Sequence, residues 1–368
     1  MYDIPGLGYD YAAAEKSRWR GEDEATEKRF AFLDFGDRVT AGTGGDPPPL
    51  GAFRLHVADR YDFKAAYSWV RRALTRRPMA VAIRCDASGP HCSKRPEFSF
   101  NQYCRGGGAF TGRLRALQLY RVKLEKKFAG AIANDLPVLE GLRLEECDYR
   151  LARIASASLQ NLDIHNCNAC AFDDDVLALA APGLATLHVH GNPPPPPVTS
   201  EGEMPSLVAA SLEHPAGFVG LLGSLNHATD LRLYGFGTSA LLNGGEEPVG
   251  FPVFRSLRNL VLDECDIGVE CQALRRFLRN APSLEKLTLR YCGFFGGSRR
   301  KKRKASSDDM RIPASYVCKK LKSVELEYHD DQDVSELDDA LDEIPKKMVH
   351  PFQSSVHHGR RTERISYG

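Results

Sequence analysis

One short phrase recurs along this 368-residue chain: an apolar residue, two free positions, an apolar residue, one free position, an apolar residue, and often Cys or Asn three places later. The clearest copies are Leu139/Leu142/Leu144/Cys147, Leu159/Leu162/Ile164/Cys167, Leu184/Leu187/Val189/Asn192, Leu257/Leu260/Leu262/Cys265 and Leu284/Leu287/Leu289/Cys292. Weaker copies start at Leu114, Leu207, Ala228 and Leu321. Leu50/Phe53/Leu55 fits well and Pro78/Val81/Ile83 loosely. Successive starts differ by 28, 36, 25, 20, 25, 23, 21, 29, 27 and 37 residues. Eight of those ten spacings fall within the roughly 20–29 residues of one known repeat class, whose units pack only on their neighbours.

The spacing carries its own physics. The last two apolar positions have period two, so they belong to a short strand and share one face. The following Cys or Asn sits where the chain leaves the strand, and a small polar side chain there can meet backbone groups that lack partners. Helical spacing marks some of the returns. Trp69, Val70, Ala73 and Leu74 line one side of Tyr67–Arg76, and Ala273, Leu274, Phe277 and Leu278 line one side of Gln272–Arg279. Asn280-Ala281-Pro282, Asp135-Leu136-Pro137 and Ala181-Pro182-Gly183 then punctuate the chain before the next strand. The expected fold is therefore α/β: a leucine-rich-repeat solenoid, with a curved parallel sheet on the concave side and helices and irregular returns on the convex side.

The expected boundaries are an irregular segment over 1–49, the solenoid over 50–327, a capping helix over 328–345 and a disordered tail over 346–368. The capping helix is read from Val334, Leu337, Leu341 and Ile344 on one face of an acidic stretch. Two insertions interrupt the period. Residues 85–113 hold Cys85, Cys92, Cys104 and Arg105-Gly106-Gly107-Gly108, read as a surface loop. Residues 293–316 hold the unbroken basic run Arg299, Arg300, Lys301, Lys302, Arg303 and Lys304. Such a run stays solvated and matches a nuclear-import signal, so a nuclear and/or cytoplasmic location is expected. Nucleic acid is the lesser reading, since no aromatic residues interleave the run. Pro193–Pro197 reads as a stiff spacer.

Composition excludes several classes of function. Lys+Arg number 49 and Asp+Glu 48, so no global charge draws the chain to nucleic acid. Ten cysteines do not make a disulfide-framed mini-domain, no secretory apolar segment follows Met1, and no apolar run reaches the roughly 18 residues of a membrane span. Phosphate-binding glycine loops and nucleophile-elbow motifs are missing, so no enzyme and no cofactor is expected. Cys167-Asn168-Ala169-Cys170 has no second pair at zinc spacing, and Asp173-Asp174-Asp175 reads as a helix cap rather than a calcium loop. No metal site is expected.

The residues beside the strand leucines face the open side. There the pattern places Arg143 and Glu145, Asp163 and His165, His188 and His190, Arg232 and Tyr234, Asp263, and Arg290. Val261, Thr288, Glu325 and Glu327 share that face. His165 and His190 occupy the same place in consecutive copies and are expected roughly 5 Å apart, one strand spacing. The face as a whole reads as a mixed polar surface for binding a protein.

Leu136-Pro137-Val138-Leu139-Glu140-Gly141-Leu142-Arg143-Leu144-Glu145-Glu146-Cys147 and Ser158 to Cys167 resemble plant F-box/LRR proteins of the large grass set. So do Gly202 to Leu207 and Leu222 to Leu225. The tail from Cys318 to Tyr328, with the acidic stretch after it, is similar to that family's FBD-type C-terminal segment. The resemblance implies a substrate receptor of a cullin–RING ubiquitin ligase, whose F-box docks a Skp-type adaptor while the repeats hold a target protein. The chain departs from the pattern at its start. The Leu-Pro opening and amphipathic helices of an F-box are missing, and only Ser17-Arg18-Trp19-Arg20 echoes its end. Adaptor docking is thus in doubt while target binding is not. The alternatives are a binding module that recruits no ligase, and a nucleic-acid-associated protein acting through residues 299–304.

Overall fold

All eleven phrase starts lie two residues before a strand, the weak copies included. The strands are β1 (Ala52–Val57), β2 (Ala80–Cys85), β3 (Ala116–Tyr120), β4 (Gly141–Glu145) and β5 (Asn161–His165). Then come β6 (Thr186–His190), β7 (Ala209–Glu213), β8 (Asp230–Tyr234), β9 (Asn259–Asp263), β10 (Lys286–Arg290) and β11 (Ser323–His329). The structure is a computed structural model, and it describes residues 31, 34–38, 48–57, 63–86, 112–149, 151–169, 176–191, 198–213, 221–238, 251–268, 271–293, 320–329, 348–357 and 360–367. The basic run 299–304, the five prolines, Asp173–Asp175, Cys170, most of 85–113 and the acidic stretch 330–343 lie outside the described residues.

The chain divides into two compact units, Met1–Ala181 and Pro182–Gly368. In the first, β1 to β5 pair in sequence order, all parallel. In the second, β6 to β11 do the same. Together they supply eleven parallel strands joined by few helices, a mixed α/β arrangement compatible with a stack of repeats. Register is constant. Leu117, Leu142 and Leu162 stand opposite one another in the first unit, and Leu231, Leu260, Leu287 and Val324 in the second. Every one of these is at most 2% exposed, so each unit has a continuous apolar layer behind its sheet.

The returns fill the other side of that layer. Helix α1 (Phe63–Thr75) buries Trp69, Val70, Ala73 and Leu74. Helix α2 (Lys126–Asn134) buries Phe128, Ala131 and Ile132, at the i, i+3, i+4 spacing of one helical face. A single turn, α3 (Leu221–Ser224), and α4 (Gln272–Asn280) follow, with Ala273, Leu274, Phe277 and Leu278 of α4 all buried. Elsewhere the return is extended, as where Arg153–Ala155 pairs in parallel with Leu177–Ala180. Pro137, Pro182 and Pro282 each sit in a turn ahead of a strand. In two of these turns the first leucine of the phrase donates its N–H back three residues, Leu139 to Leu136 O and Leu284 to Ala281 O, both at 3.2 Å.

Six of the strands end in the same turn. Arg121, Glu146, Asn166, Glu264 and Tyr291 follow directly on strands and all have φ between 49° and 53°, and Gly235 has φ 69°. L-residues pay about 1–2 kcal/mol for this left-handed conformation. The return is one more rung of ladder. The N–H of Arg121 meets Glu145 O at 2.9 Å, that of Glu146 meets His165 O at 2.8 Å, and that of Tyr291 meets Glu327 O at 2.7 Å.

The repeated cysteine stands two residues past the strand and is buried. Its thiol donates to a carbonyl of the preceding repeat: Cys147 to Leu119 O at 3.3 Å, Cys265 to Leu233 O at 3.3 Å and Cys292 to Leu262 O at 3.4 Å. Burial pushes the Cys265 thiol up to about 11, and the thiols of Cys167 and Cys292 are raised as well, Cys167 first by its hydrogen bond with Cys147 and Cys292 by burial. These are structural thiols, protonated at neutral pH.

The structure corrects the expected disordered tail. Met348–His357 and Arg360–Tyr367 form strands β12 and β13. β13 pairs antiparallel with β11, setting Ile365 opposite Val324, and β12 pairs antiparallel with β13. The physical reason is the outer edge of β11, whose N–H and C=O groups otherwise lack partners. A polar stretch with few apolar residues can satisfy them because the ladder is made by backbone. Tyr328 adds a side-chain tie, its hydroxyl donating to Glu363 Oε1 at 2.7 Å.

Leu260 is fully buried in β9, whereas Gln118 on the other face of β3 is exposed. Leu260→Ala is expected to lower unfolding free energy by about 2–5 kcal/mol, and Gln118→Ala to leave it within about 0.5 kcal/mol, as read by urea denaturation.

Candidate protein-binding face

The face opposite the leucines carries the side chains between them. In the first unit two rows cross the strands: Arg54, Ala82, Gln118, Arg143 and Asp163, and beside it His56, Arg84, Tyr120, Glu145 and His165. The pattern-derived residues Arg143, Glu145, Asp163 and His165 fall in these rows. Arg143 is exposed, donates from Nη2 to Glu145 Oε2 at 3.1 Å and holds Nε 3.7 Å from Asp163 Oδ2.

In the second unit the rows are Arg232, Val261, Thr288 and Glu325, then Tyr234, Asp263, Arg290 and Glu327. Charge alternates along and across them. Arg232 Nη2 donates to Asp263 Oδ2 at 2.7 Å, Arg290 Nη1 lies 3.9 Å from the same oxygen, and Arg290 Nε donates to Glu327 Oε1 at 3.1 Å. Lys286 and Glu325 pair at 2.8 Å. Asp263 and Thr288, expected to be open, are buried, Asp263 beneath the guanidinium groups of Arg232 and Arg290 from the flanking strands. Tyr234 has its hydroxyl pushed up to about 12, first by a hydrogen bond with Glu264 and then by burial.

His165 and His190 belong to different units. His165 O accepts the Glu146 N–H. His190 Nδ1 lies 3.6 Å from Glu213 Oε2, which also accepts the Gly191 N–H at 2.9 Å. His188 stands edge-on to His190 with ring centroids 6.4 Å apart. Among the described residues no group of three His, Cys, Asp or Glu side chains is placed to hold a metal ion.

The structure adds residues that the pattern did not single out. Over β1 to β4 lies a hollow of about 330 Å³ lined by both rows of the first unit, with Arg54, Arg84 and Tyr120 prominent. Arg84 lies 4.0 Å over the Tyr120 ring and Arg121 5.2 Å from it. The Tyr120 hydroxyl donates to Glu146 Oε1 at 3.1 Å, and Arg121 Nε donates to Glu146 Oε2 at 2.6 Å. Asp86, just past β2, accepts from Arg84 Nε at 2.7 Å and meets His56 Nε2 at 2.6 Å. Burial raises the Asp86 carboxyl, but the hydrogen bonds from Arg84 and His56 outweigh it and hold the group below its ordinary value. The signal was present in the sequence. Arg84 and Tyr120 hold the same place in their phrases as Glu145, but the first copies were too irregular to extend the face to them.

The chain is 28% identical over 390 aligned residues to the MEIOTIC F-BOX protein MOF of Oryza sativa subsp. japonica, covering 91% of this chain and 77% of that protein. This similarity supports a plant F-box-related family. No protein-family model matches the chain, and no solved structure matches it. No helix among the described residues is long and apolar enough to cross a membrane.

Asp263 makes the face testable in stability terms. Arg232→Ala removes the close partner of a buried carboxylate and is expected to cost about 1–3 kcal/mol. Asp263→Ala is expected to cost less, because the Arg232 and Arg290 side chains are 46% and 34% exposed and return to water. A double-mutant cycle in urea checks both the order and the non-additivity.

Proposed function

We propose that this chain is a leucine-rich-repeat receptor of the F-box type, which holds a target protein on the polar face of its parallel strands and has no chemistry of its own. The observation that carries this reading is the separation of labour along each strand. The leucine positions are buried and constant, while the positions between them present Arg143, Glu145, Asp163, Arg232, Tyr234 and Arg290 as a mixed charged surface. A surface of that kind suits protein recognition, since charges steer encounter and reject wrong partners. The relationship to an F-box protein supports the further step, delivery of the held target to a ubiquitin ligase through a Skp-type adaptor.

The test is affinity capture of the full chain from plant extract, probed for adaptor and cullin. Stoichiometric adaptor is the expected result and means that residues 1–49 carry a divergent F-box. Other proteins enriched without adaptor, and lost when Arg143, Arg232 and Arg290 are reversed to Glu, mean a binding module that does not recruit the ligase. Nothing enriched over an unrelated control sinks the receptor reading.

We also propose that Arg299–Lys304 directs the chain to the nucleus, on the density of positive charge in that run. A fluorescent fusion is expected to concentrate in nuclei and to spread into the cytoplasm when all six residues become Gln. An unchanged distribution would show that the run is no import signal.

A further inference from the structure

Strand β12 is the outermost strand of the second unit. It pairs with β13 on one side, and among the described residues nothing pairs with its other edge. That edge carries a row of N–H and C=O groups able to join another strand.

Edge strands are ordinarily blunted against such pairing by charged side chains, proline or bulges. β12 is blunted over its first half only. Pro351 lies there, and the pairing with β13 shifts register between Met348 and His350 and again between His350 and Gln353. Over 353–357 the register runs without a shift: Gln353 to Arg364, Ser354 to Glu363, Ser355 to Thr362, Val356 to Arg361 and His357 to Arg360. This stretch holds no proline and no Asp, Glu, Lys or Arg. The charges of the hairpin are on β13, as Arg360, Arg361, Glu363 and Arg364. β13 lies inside, between β11 and β12, with Arg364 opposite Glu325. The usual placement is inverted: the charged strand is enclosed and the uncharged stretch is outermost.

A second copy of the same edge fits this stretch. When a strand meets its own copy antiparallel, a residue before the two-fold axis stands opposite one equally far beyond it. The middle of 353–357 is Ser355. An axis there sets Ser355 opposite Ser355 of the second copy, Ser354 opposite Val356 and Gln353 opposite His357. No like charges meet. The same operation on β13 about Thr362 would set Arg360 opposite Arg364, a repulsive pair.

We propose that two copies of this chain associate through the outer edge of β12, residues 353–357 of each pairing antiparallel about a two-fold axis at Ser355. The contact is small, since these five residues of strand span about 17 Å. The dimer therefore belongs with weak, transient associations, and a Kd on the order of 10–100 µM is expected. Pairing uses backbone groups at the end of the sheet and does not draw on the residues of the candidate binding face. The dimer and the receptor reading thus stand or fall separately.

The test is sedimentation equilibrium of the full chain over about a hundredfold range of concentration around that Kd. The mass is expected to rise from one chain toward two. Ser355→Lys and Ser355→Glu each put like charges on the axis, and each is expected to weaken association at least about fivefold. Mixing the two variants in equal amounts is expected to restore it, because opposite charges then meet. His350→Lys adds a charge in the bulged half and is expected to change nothing. Thermal melting by circular dichroism checks that each variant is folded. A chain that stays monomeric throughout, a dimer indifferent to both Ser355 variants, or a mixture no tighter than either variant alone overturns the proposal.

Discussion

Everything in this molecule depends on one register. Parallel strands repeat with the second and third apolar positions of each phrase directly opposite those of the next, so leucine meets leucine across β8, β9 and β10 without a slip. A shift of one residue in any strand would turn its leucines to the polar face and its charges into the apolar layer. The cost would be several buried side chains at about 1.5–3 kcal/mol each, far more than backbone hydrogen bonding could recover. The phrase is thus a register code, and it explains why even loose copies fold as members. Pro78/Val81/Ile83 has no leucine, yet Val81 and Ile83 are buried to within 3% and pair with Leu117 and Leu119.

The turn after the strand makes the same register hold on the next layer. A left-handed residue swings the chain away from the sheet, and its N–H still reaches the neighbouring strand's last carbonyl. The buried cysteine then gives its thiol to a carbonyl of the preceding repeat. Sulfur suits the place because a thiol is small, tolerates burial and is a weak donor, so little is lost when the geometry is long. The raised pKa of Cys265 follows from this role, as a thiolate there would face buried carbonyl oxygens.

The repeat strands were legible in the sequence because their signal is local and short. Two other elements were not. Helix α2 has its apolar residues at correct spacing, Phe128, Ala131 and Ile132, but two of its nine positions are Gly130 and Ala129, which blur the pattern. Strands β12 and β13 are less legible still, because they answer a demand made elsewhere in the chain. The edge of β11 needs backbone partners, and a polar sequence can supply them. The candidate face was legible where the phrases are clean, from Arg143 onward, and missed at Arg54, Arg84 and Tyr120, where long intervening segments disguise the period. Burial of Asp263 was not legible from alternation alone, since it comes from the reach of Arg232 and Arg290 on the flanking strands.

The two faces of each strand therefore answer to different constraints. The buried face is fixed by packing, and replacing a leucine there disturbs neighbours on both sides. The polar face is held by backbone it does not need to stabilise, so its side chains are free to differ from strand to strand. Charge pairing sets the limit on that freedom. Where carboxylates and guanidiniums alternate, as between Arg232 and Glu327, the face neutralises itself and a partner must displace existing pairs to bind. Over β1 to β4 the same pairing holds, Arg84 with Asp86 and Arg143 with Glu145, and the methyl side chain of Ala82 leaves room beside them. A partner carboxylate entering there likewise displaces pairs that are already made. On such a face, recognition favours a partner whose own charges replace the pairs they displace.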